Sequence, residues 1–322
     1  GLGGYLHLTE AFPAFQEEIA HIAEEFRALR ALHEGGAPWE SGVRVAVLQS
    51  WGSLRTWNCA GHMHEHPDLP LNHLYEALAG LPFPLTCLSL DEVAQNGVPE
   101  GVDVLLNAGR EGDAWSGGDG WKDGRLTAAV QAFTARGGGL IGVGEPSAVR
   151  GGGRFFALAD VLGVDREVGR TNCVVKWPAR EQTNHFITGG LPVGAPFHNH
   201  VGGVYPVSAA TQVLRLVGGD VAVAANAFGR GRAVYLSGFT VNGENTALLR
   251  RAVRWAAGRE AEDALWSAEN PACECAYFPK QNRLVVLNNT SKAQTTAVRT
   301  PQGELYCRLE PRAMAQLTLG KR

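Results

Sequence analysis

Arg136-Gly137-Gly138-Gly139-Leu140-Ile141-Gly142-Val143-Gly144-Glu145-Pro146 is the stretch on which the fold turns. Its middle reads as a short buried strand, and its glycines lead into a turn that sets one carboxylate, Glu145, against a proline. In an open α/β sheet, a strand's carboxyl end followed by a glycine-rich turn is where ligands sit, because the backbone can be approached closely there. Just upstream, Val102-Asp103-Val104-Leu105-Leu106-Asn107-Ala108-Gly109 repeats the design. Two such ends side by side predict a crevice.

Around this pair, helical patterns and short apolar strands alternate. The first strand lies within Val43–Ser50. A helix over Leu71–Leu81, a strand at Leu85–Leu90, a short helix from Asp91 and a strand at Val102–Asn107 follow. A helix at Leu126–Arg136 leads into the strand Leu140–Val143, and Phe155–Leu162 reads as a further helix ended by Gly163. Shorter strands are expected at Cys173–Lys176, Val213–Val217, Val221–Ala225 and Ala233–Leu236, the last two forming a hairpin across Gly229-Arg230-Gly231. Asn245–Ala257 closes the region as a helix. Such alternation implies a mostly parallel sheet covered by helices on both faces.

At its two ends the chain changes character. Gly4-Tyr5-Leu6-His7-Leu8 reads as a strand, and Phe15, Ile19, Ile22, Phe26 and Leu29 then form one apolar stripe on a helix that ends near Gly35-Gly36. A single β/α unit is no domain, so the chain reads as a piece of something larger. The last sixty or so residues carry only short strands, at Cys275–Phe278, Leu284–Asn288, Thr295–Arg299, Leu305–Leu309 and Met314–Leu319, a spacing that suggests a small β-sandwich. The expected division is 1–40, 41–258 and 259–322.

Composition narrows the function. The 322 residues are 45% hydrophobic and 19% charged with a net charge of -3. No basic block interleaves with aromatics, so nucleic acid is not an expected partner. No apolar run approaches the roughly 18 residues that span a bilayer, so neither is a membrane. Cys59, Cys87, Cys173, Cys273, Cys275 and Cys307 show no C-x-x-C spacing, and Cys87 sits in a strand-like run; buried thiols in a reducing compartment are expected.

Candidate chemistry gathers at the strand ends. In glutamine amidotransferase-like domains the turn after a comparable strand carries a nucleophilic cysteine as G-x-C-x-G; here the turn has Glu145 and no cysteine, which disfavours a stand-alone hydrolase. Glu145 either caps a following helix or meets a sugar hydroxyl. The segment Asn107 to Trp121 combines Glu111, Asp113, Trp115 and Asn107 among glycines. Carbohydrate sites need this mixture of aromatic faces and planar polar groups. Trp51, Arg55 and Trp57 make a similar loop at the same edge. His62-Met63-His64-Glu65-His66 and His198-Asn199-His200 invite a metal reading, yet they match no known ligand motif and read as solvated loops.

Several of these stretches resemble the galacto-N-biose/lacto-N-biose phosphorylases. They are Gly4-Tyr5-Leu6-His7-Leu8, Trp51-Gly52-Ser53-Leu54-Arg55, Asn107-Ala108-Gly109, Trp115-Ser116-Gly117-Gly118, Gly142-Val143-Gly144-Glu145-Pro146, Phe155 through Val164, and Val234-Tyr235-Leu236-Ser237-Gly238. The resemblance implies a three-part enzyme: a TIM-like barrel, an amidotransferase-like α/β domain and a C-terminal β-domain. It also implies a cytoplasmic homodimer. The implied reaction is inverting phosphorolysis of galactosyl-β-1,3-N-acetylhexosamine to α-galactose 1-phosphate, with phosphate as co-substrate and neither metal nor organic cofactor. The general acid is then expected on the barrel, whose last β/α unit alone would be present here. Tyr5 and His7, at the end of its strand, are the expected sugar contacts, and Asn107, Glu111, Asp113, Trp115 and Glu145 would close over substrate from the side. A non-catalytic carbohydrate-binding or dimerisation module is the alternative, with the stripe on the first helix as its interface.

Overall fold

The computed structural model describes residues 13–50, 69–112, 115–151, 153–169, 176–191, 197, 199–262 and 265–320. Tyr5, His7 and the first expected strand lie outside them, as do Trp51, Arg55, Trp57, the His62–His66 run, Asp113, His198, Cys59, Cys173 and most of the strand expected at Cys173–Lys176.

Helix α1 spans Pro13–Gly35. The central layer is a seven-stranded sheet built from β1 (Val45–Gln49), β2 (Leu85–Ser89), β3 (Val104–Gly109), β4 (Gly139–Gly144), β7 (Gln212–Val217), β8 (Asp220–Phe228) and β9 (Gly231–Leu236), in the order β2-β1-β3-β4-β9-β8-β7. The run from β2 to β9 is parallel, and β8 and β7 add as antiparallel hairpins. Residues alternate between the two faces as strand geometry dictates. Ala46, Leu48, Leu105, Leu140 and Tyr235 join the core under α3 (Leu90–Asn96) and α4 (Gly124–Ala135). Val45, Val47, Leu106, Ile141 and Val234 join the core under α2 (Leu69–Ala79) and α6 (Gly243–Ala256). The sequence explains the helix starts: Ser89, Asp123 and Asn242 each cap with a side-chain oxygen, accepting from Glu92, Arg125 and Asn245 backbone N–H groups.

Three expectations change. The helix predicted over Phe155–Leu162 shrinks to α5, Ala159–Leu162. The reason is local: Phe156 bridges to Ala148, and the N–H groups of Phe155 and Phe156 donate to the carboxylate of Asp165 rather than into a helix. Asp165 lies on β5 (Val164–Arg166), which pairs with β6 (Val204–Pro206); neither three-residue strand was expected from the sequence. Lys176, the described end of the strand expected at Cys173–Lys176, belongs to no strand. Cys87, expected buried, is exposed because β2 is an edge strand; Cys273 and Cys307 are buried, and all three are free thiols.

The C-terminal region holds two antiparallel sheets, β10-β11-β14 (Cys273–Phe278, Arg283–Asn288, Met314–Thr318) and β12-β13 (Gln294–Thr300, Gly303–Leu309). Trp266, Leu284 and Val286 face Val298 and Leu309 in one core between them. The end of α1 is seated on this region: Leu32 packs with Phe278 and Val285, the His33 and Phe278 rings meet edge-on at 5.0 Å, and Gln281 Nε2 donates to the Leu32 carbonyl at 2.8 Å. Among the described residues no helix is long and apolar enough to cross a membrane.

Candidate functional site

β3 and β4 lie side by side in parallel, with Asn107 opposite Gly142 and Gly109 opposite Gly144. Their carboxyl ends meet as the sequence predicted, and polar side chains fill the space between them. Asn107 is fully buried and bridges two turns: its Nδ2 donates to the Ser116 carbonyl at 3.2 Å, and its Oδ1 accepts from Ser147 N–H at 2.7 Å. The Trp121 indole N–H donates to the same Ser116 carbonyl. One amide thus ties the loop after β3 to the turn after β4.

That turn is tight. Gly144 adopts φ +74°, and a Cβ there would stand 2.6 Å from the Gly109 carbonyl oxygen. The same oxygen accepts from Glu145 N–H at 2.8 Å. Ser147, buried at φ +52°, accepts from Leu158 N–H through its hydroxyl, so it stands inside the protein rather than exposed as a nucleophile.

Glu145 begins no helix, so the capping role does not hold. It is 5% exposed; Oε2 accepts from Glu111 N–H at 2.7 Å, and Oε1 is ion-paired with Arg166. Glu111 continues outward, forming a two-pronged pair with Arg150 in which Nη2 and Oε2 are 2.7 Å apart. Arg166 also donates to the Gly202 carbonyl at 3.0 Å and stands over the Phe155 ring. Beside it, the buried carboxylate of Asp165 accepts from Phe156 and Arg166 N–H at 2.9 and 2.8 Å. Burial pushes its pKa up against these backbone donors. Tyr205, whose hydroxyl reaches Asp165, is likewise pushed up by burial, to about 12.

Of the predicted residues, the structure bonds Glu111 N–H to Glu145 and sets Asn107 between the same two turns, bonded to Ser116 and Ser147, while Trp115 packs partly buried against the core on the α2 and α6 side. Sequence reasoning missed Arg150, Asp165 and Arg166. Of these, Asp165 and Arg166 lie on a strand too short to show a period.

Across the same edge, the segment after β9 is clasped by several side chains. Asn199 Oδ1 accepts from Phe239 N–H at 3.0 Å, His73 Nδ1 accepts from Val241 N–H at 3.2 Å, and His200 Nδ1 lies 2.6 Å from the Ser237 hydroxyl. On the far side, His185 Nδ1 accepts from Ile187 N–H. Burial lowers the pKa of both His185 and His200 below the ordinary 6.5; Arg232 adds to the effect at His185, and Asp220 opposes it at His200. A depressed histidine pKa means that stability is intact above the unfolded value and is lost as pH falls below it. Urea midpoints should therefore drop as pH falls from about 7.5 to 5, and His185→Asn with His200→Asn should flatten that slope.

Comparison with known proteins places this geometry. The sequence profile of the lacto-N-biose phosphorylase central domain matches residues 44–261, that of the C-terminal domain 266–315, and that of the N-terminal TIM barrel domain 1–41. The chain belongs to the lacto-N-biose phosphorylase family. A 1,3-beta-galactosyl-N-acetylhexosamine phosphorylase of Bifidobacterium longum subsp. longum is 36% identical over 94% of this chain and 45% of its own length. One from Lachnoclostridium phytofermentans is 39% identical, covering 95% and 42%. The same organism's D-galactosyl-beta-1->4-L-rhamnose phosphorylase is 36% identical, covering 95% and 41%. This lacto-N-biose phosphorylase family chain thus spans less than half the length of these curated relatives. Among solved structures, a beta-galactosidase from Rahnella sp. R3 shares the fold, with TM-score 0.51 at 16% identity over 92% of this chain and 43% of its own. Among the described residues of this family member, no group of three metal-ligating side chains gathers.

Proposed function

We propose that this chain is the central and C-terminal part of an inverting disaccharide phosphorylase. Its substrate class is galactosyl-β-1,3-N-acetylhexosamine; phosphate attacks the galactosyl carbon, α-galactose 1-phosphate leaves, and the acceptor sugar departs protonated by a general acid. The observation that carries this reading is the match of three consecutive family domains to one chain, in order. In this reading 1–40 is the last unit of a barrel, 41–258 an amidotransferase-like domain and 259–322 a β-sandwich, acting as a cytoplasmic homodimer without metal or organic cofactor.

The state of the carboxylates supports placing the acid outside this chain's described edge. Glu145 is held by Arg166 and by Glu111 N–H, and Glu111 by Arg150. Neither is poised to give a proton to a glycosidic oxygen. Tyr5 and His7 remain the proposed sugar contacts, with Asn107, Glu111, Asp113, Trp115 and Glu145 shaping the side wall. The closed network around Glu145 equally favours a second reading, an accessory carbohydrate-binding or dimerisation module.

The test is a phosphorolysis assay following α-galactose 1-phosphate, run on this chain alone and on the chain joined to a complete barrel. Turnover only with the barrel, on acceptors of the N-acetylhexosamine class, is the expected result. Turnover by this chain alone would place the acid within it and overturn the assignment. No turnover in either form would leave the module reading standing.

A further inference from the structure

Two guanidinium groups end the carboxylate network at the edge of β3 and β4, and they are held differently. Arg150 grips Glu111 through Nε and Nη2, but its side chain is 70% exposed and has no other polar partner among the described residues. An ion pair in that setting contributes little and costs little to break. Arg166 is anchored on three sides. Its Nη1 pairs with Glu145, its Nε donates to the Gly202 carbonyl at 3.0 Å, and the guanidinium carbon lies 5.7 Å from the centre of the Phe155 ring. Glu145 is in turn buried and fixed by Glu111 N–H, so the anchor itself does not move. A planar fork held at two corners and across one face keeps a single orientation.

That anchoring leaves one corner open. Nη2 of Arg166 meets no acceptor among the described residues, and it is accessible to solvent, in a side chain that keeps 30% of its surface exposed. The positive charge is already balanced by Glu145, so the open corner suits a neutral oxygen rather than an anion. A hydrogen bond from an ionised donor is stronger than one between neutral groups. A donor locked before its ligand arrives also loses little freedom on binding.

We infer that Arg166 is a sugar-binding residue, donating from Nη2 to a neutral oxygen of the disaccharide, and that Glu145 is a positioning residue acting through it. The sequence pattern assigned the sugar contact to Glu145, but both of its carboxylate oxygens are engaged within the protein. Arg166 carries the network's free donor instead, at the carboxyl edge where β3 and β4 end. Such a role rests on the phosphorolysis proposed above and adds a named contact to it.

The test uses this chain joined to a complete barrel. Arg166→Lys keeps a cation for Glu145 but removes the fork. It should raise KM for the disaccharide roughly tenfold, the loss of one charge-assisted hydrogen bond. Because that bond serves binding, kcat and KM for phosphate should stay near wild type. The synthetic direction locates the oxygen: a raised KM for the N-acetylhexosamine alone sets it on the acceptor, and a raised KM for α-galactose 1-phosphate alone sets it on the galactosyl unit. Glu145→Gln should uncover the guanidinium charge, so that sulfate competes with the disaccharide in this variant and not in wild type. A merely structural pair would lose stability without that change. If Arg166→Lys fails to fold, Arg166→Met combined with Glu145→Gln leaves no buried charge unpaired and should show the same rise in KM. A wild-type KM in a folded variant, in both directions, would overturn the role of Arg166 and leave the phosphorolysis reading intact. No turnover by the wild-type protein would overturn both.

Discussion

Asp165→Ala is expected to lower the unfolding free energy by about 4 kcal/mol, the largest loss among single substitutions near the site, because it leaves several buried donors without an acceptor. Asp165 is 3% exposed, and its two oxygens serve the N–H groups of Phe155, Phe156 and Arg166 and the Tyr205 hydroxyl. Those contacts hold the start of the segment that the sequence suggested as a helix in a bend, one bridge and a turn instead. Asp165→Asn keeps one acceptor oxygen and should lose much less. The pH dependence gives a second signature. Burial raises the folded pKa above the ordinary 3.8, so this group favours folding most below the unfolded value, and that contribution is lost as pH rises through the folded value. Asp165→Asn, neutral throughout, should remove this component from a plot of urea midpoint against pH. An alanine variant as stable as wild type would show that the Asp165 contacts do not hold the segment.

Gly144→Ala should cost about 3 kcal/mol, combining the strain of a left-handed alanine with that of forcing a packed contact apart. The glycine sits at φ +74°, with the Gly109 carbonyl 2.6 Å from where a Cβ would stand. That carbonyl cannot retreat freely, since it accepts from Glu145 N–H. The turn would have to open between β3 and β4, carrying Glu145 away from Glu111 and Arg166. In a whole phosphorylase the same variant should weaken turnover more than a surface substitution of equal destabilisation, which thermal melts paired with product assays would separate. A Gly144→Ala melt that overlays wild type would mean that the turn is looser than its geometry indicates.

The sheet was legible because its strands are short apolar runs that alternate with helical patterns such as Leu71–Leu81, Leu126–Arg136 and Asn245–Ala257. The side-by-side strand ends that carry Asn107 and lead to Glu145 were legible too, because each is an apolar run closed by a glycine. What the sequence hid has physical causes. The strand Val164–Arg166 is too short to display a period of two, so Asp165 and Arg166 gave no sign that they would meet Phe155 and Glu145. Phe155 and Phe156 carry a helix-like pattern that a carboxylate nine residues downstream overrides. Cys87 looked buried because an edge strand has the same composition as a central one.

The seat of α1 on the C-terminal sheets has a consequence for synthesis. Gln281 Nε2 reaches back 249 residues to the Leu32 carbonyl, so the surface that receives this helix is made long after the helix itself. At about 5–20 residues per second, a ribosome needs roughly 12–50 s to cover that distance. Throughout that interval Leu29 and Leu32 have no Phe278 or Val285 to cover them. The nascent chain must hold this apolar turn in waiting until the strands that carry Phe278 and Val285 emerge.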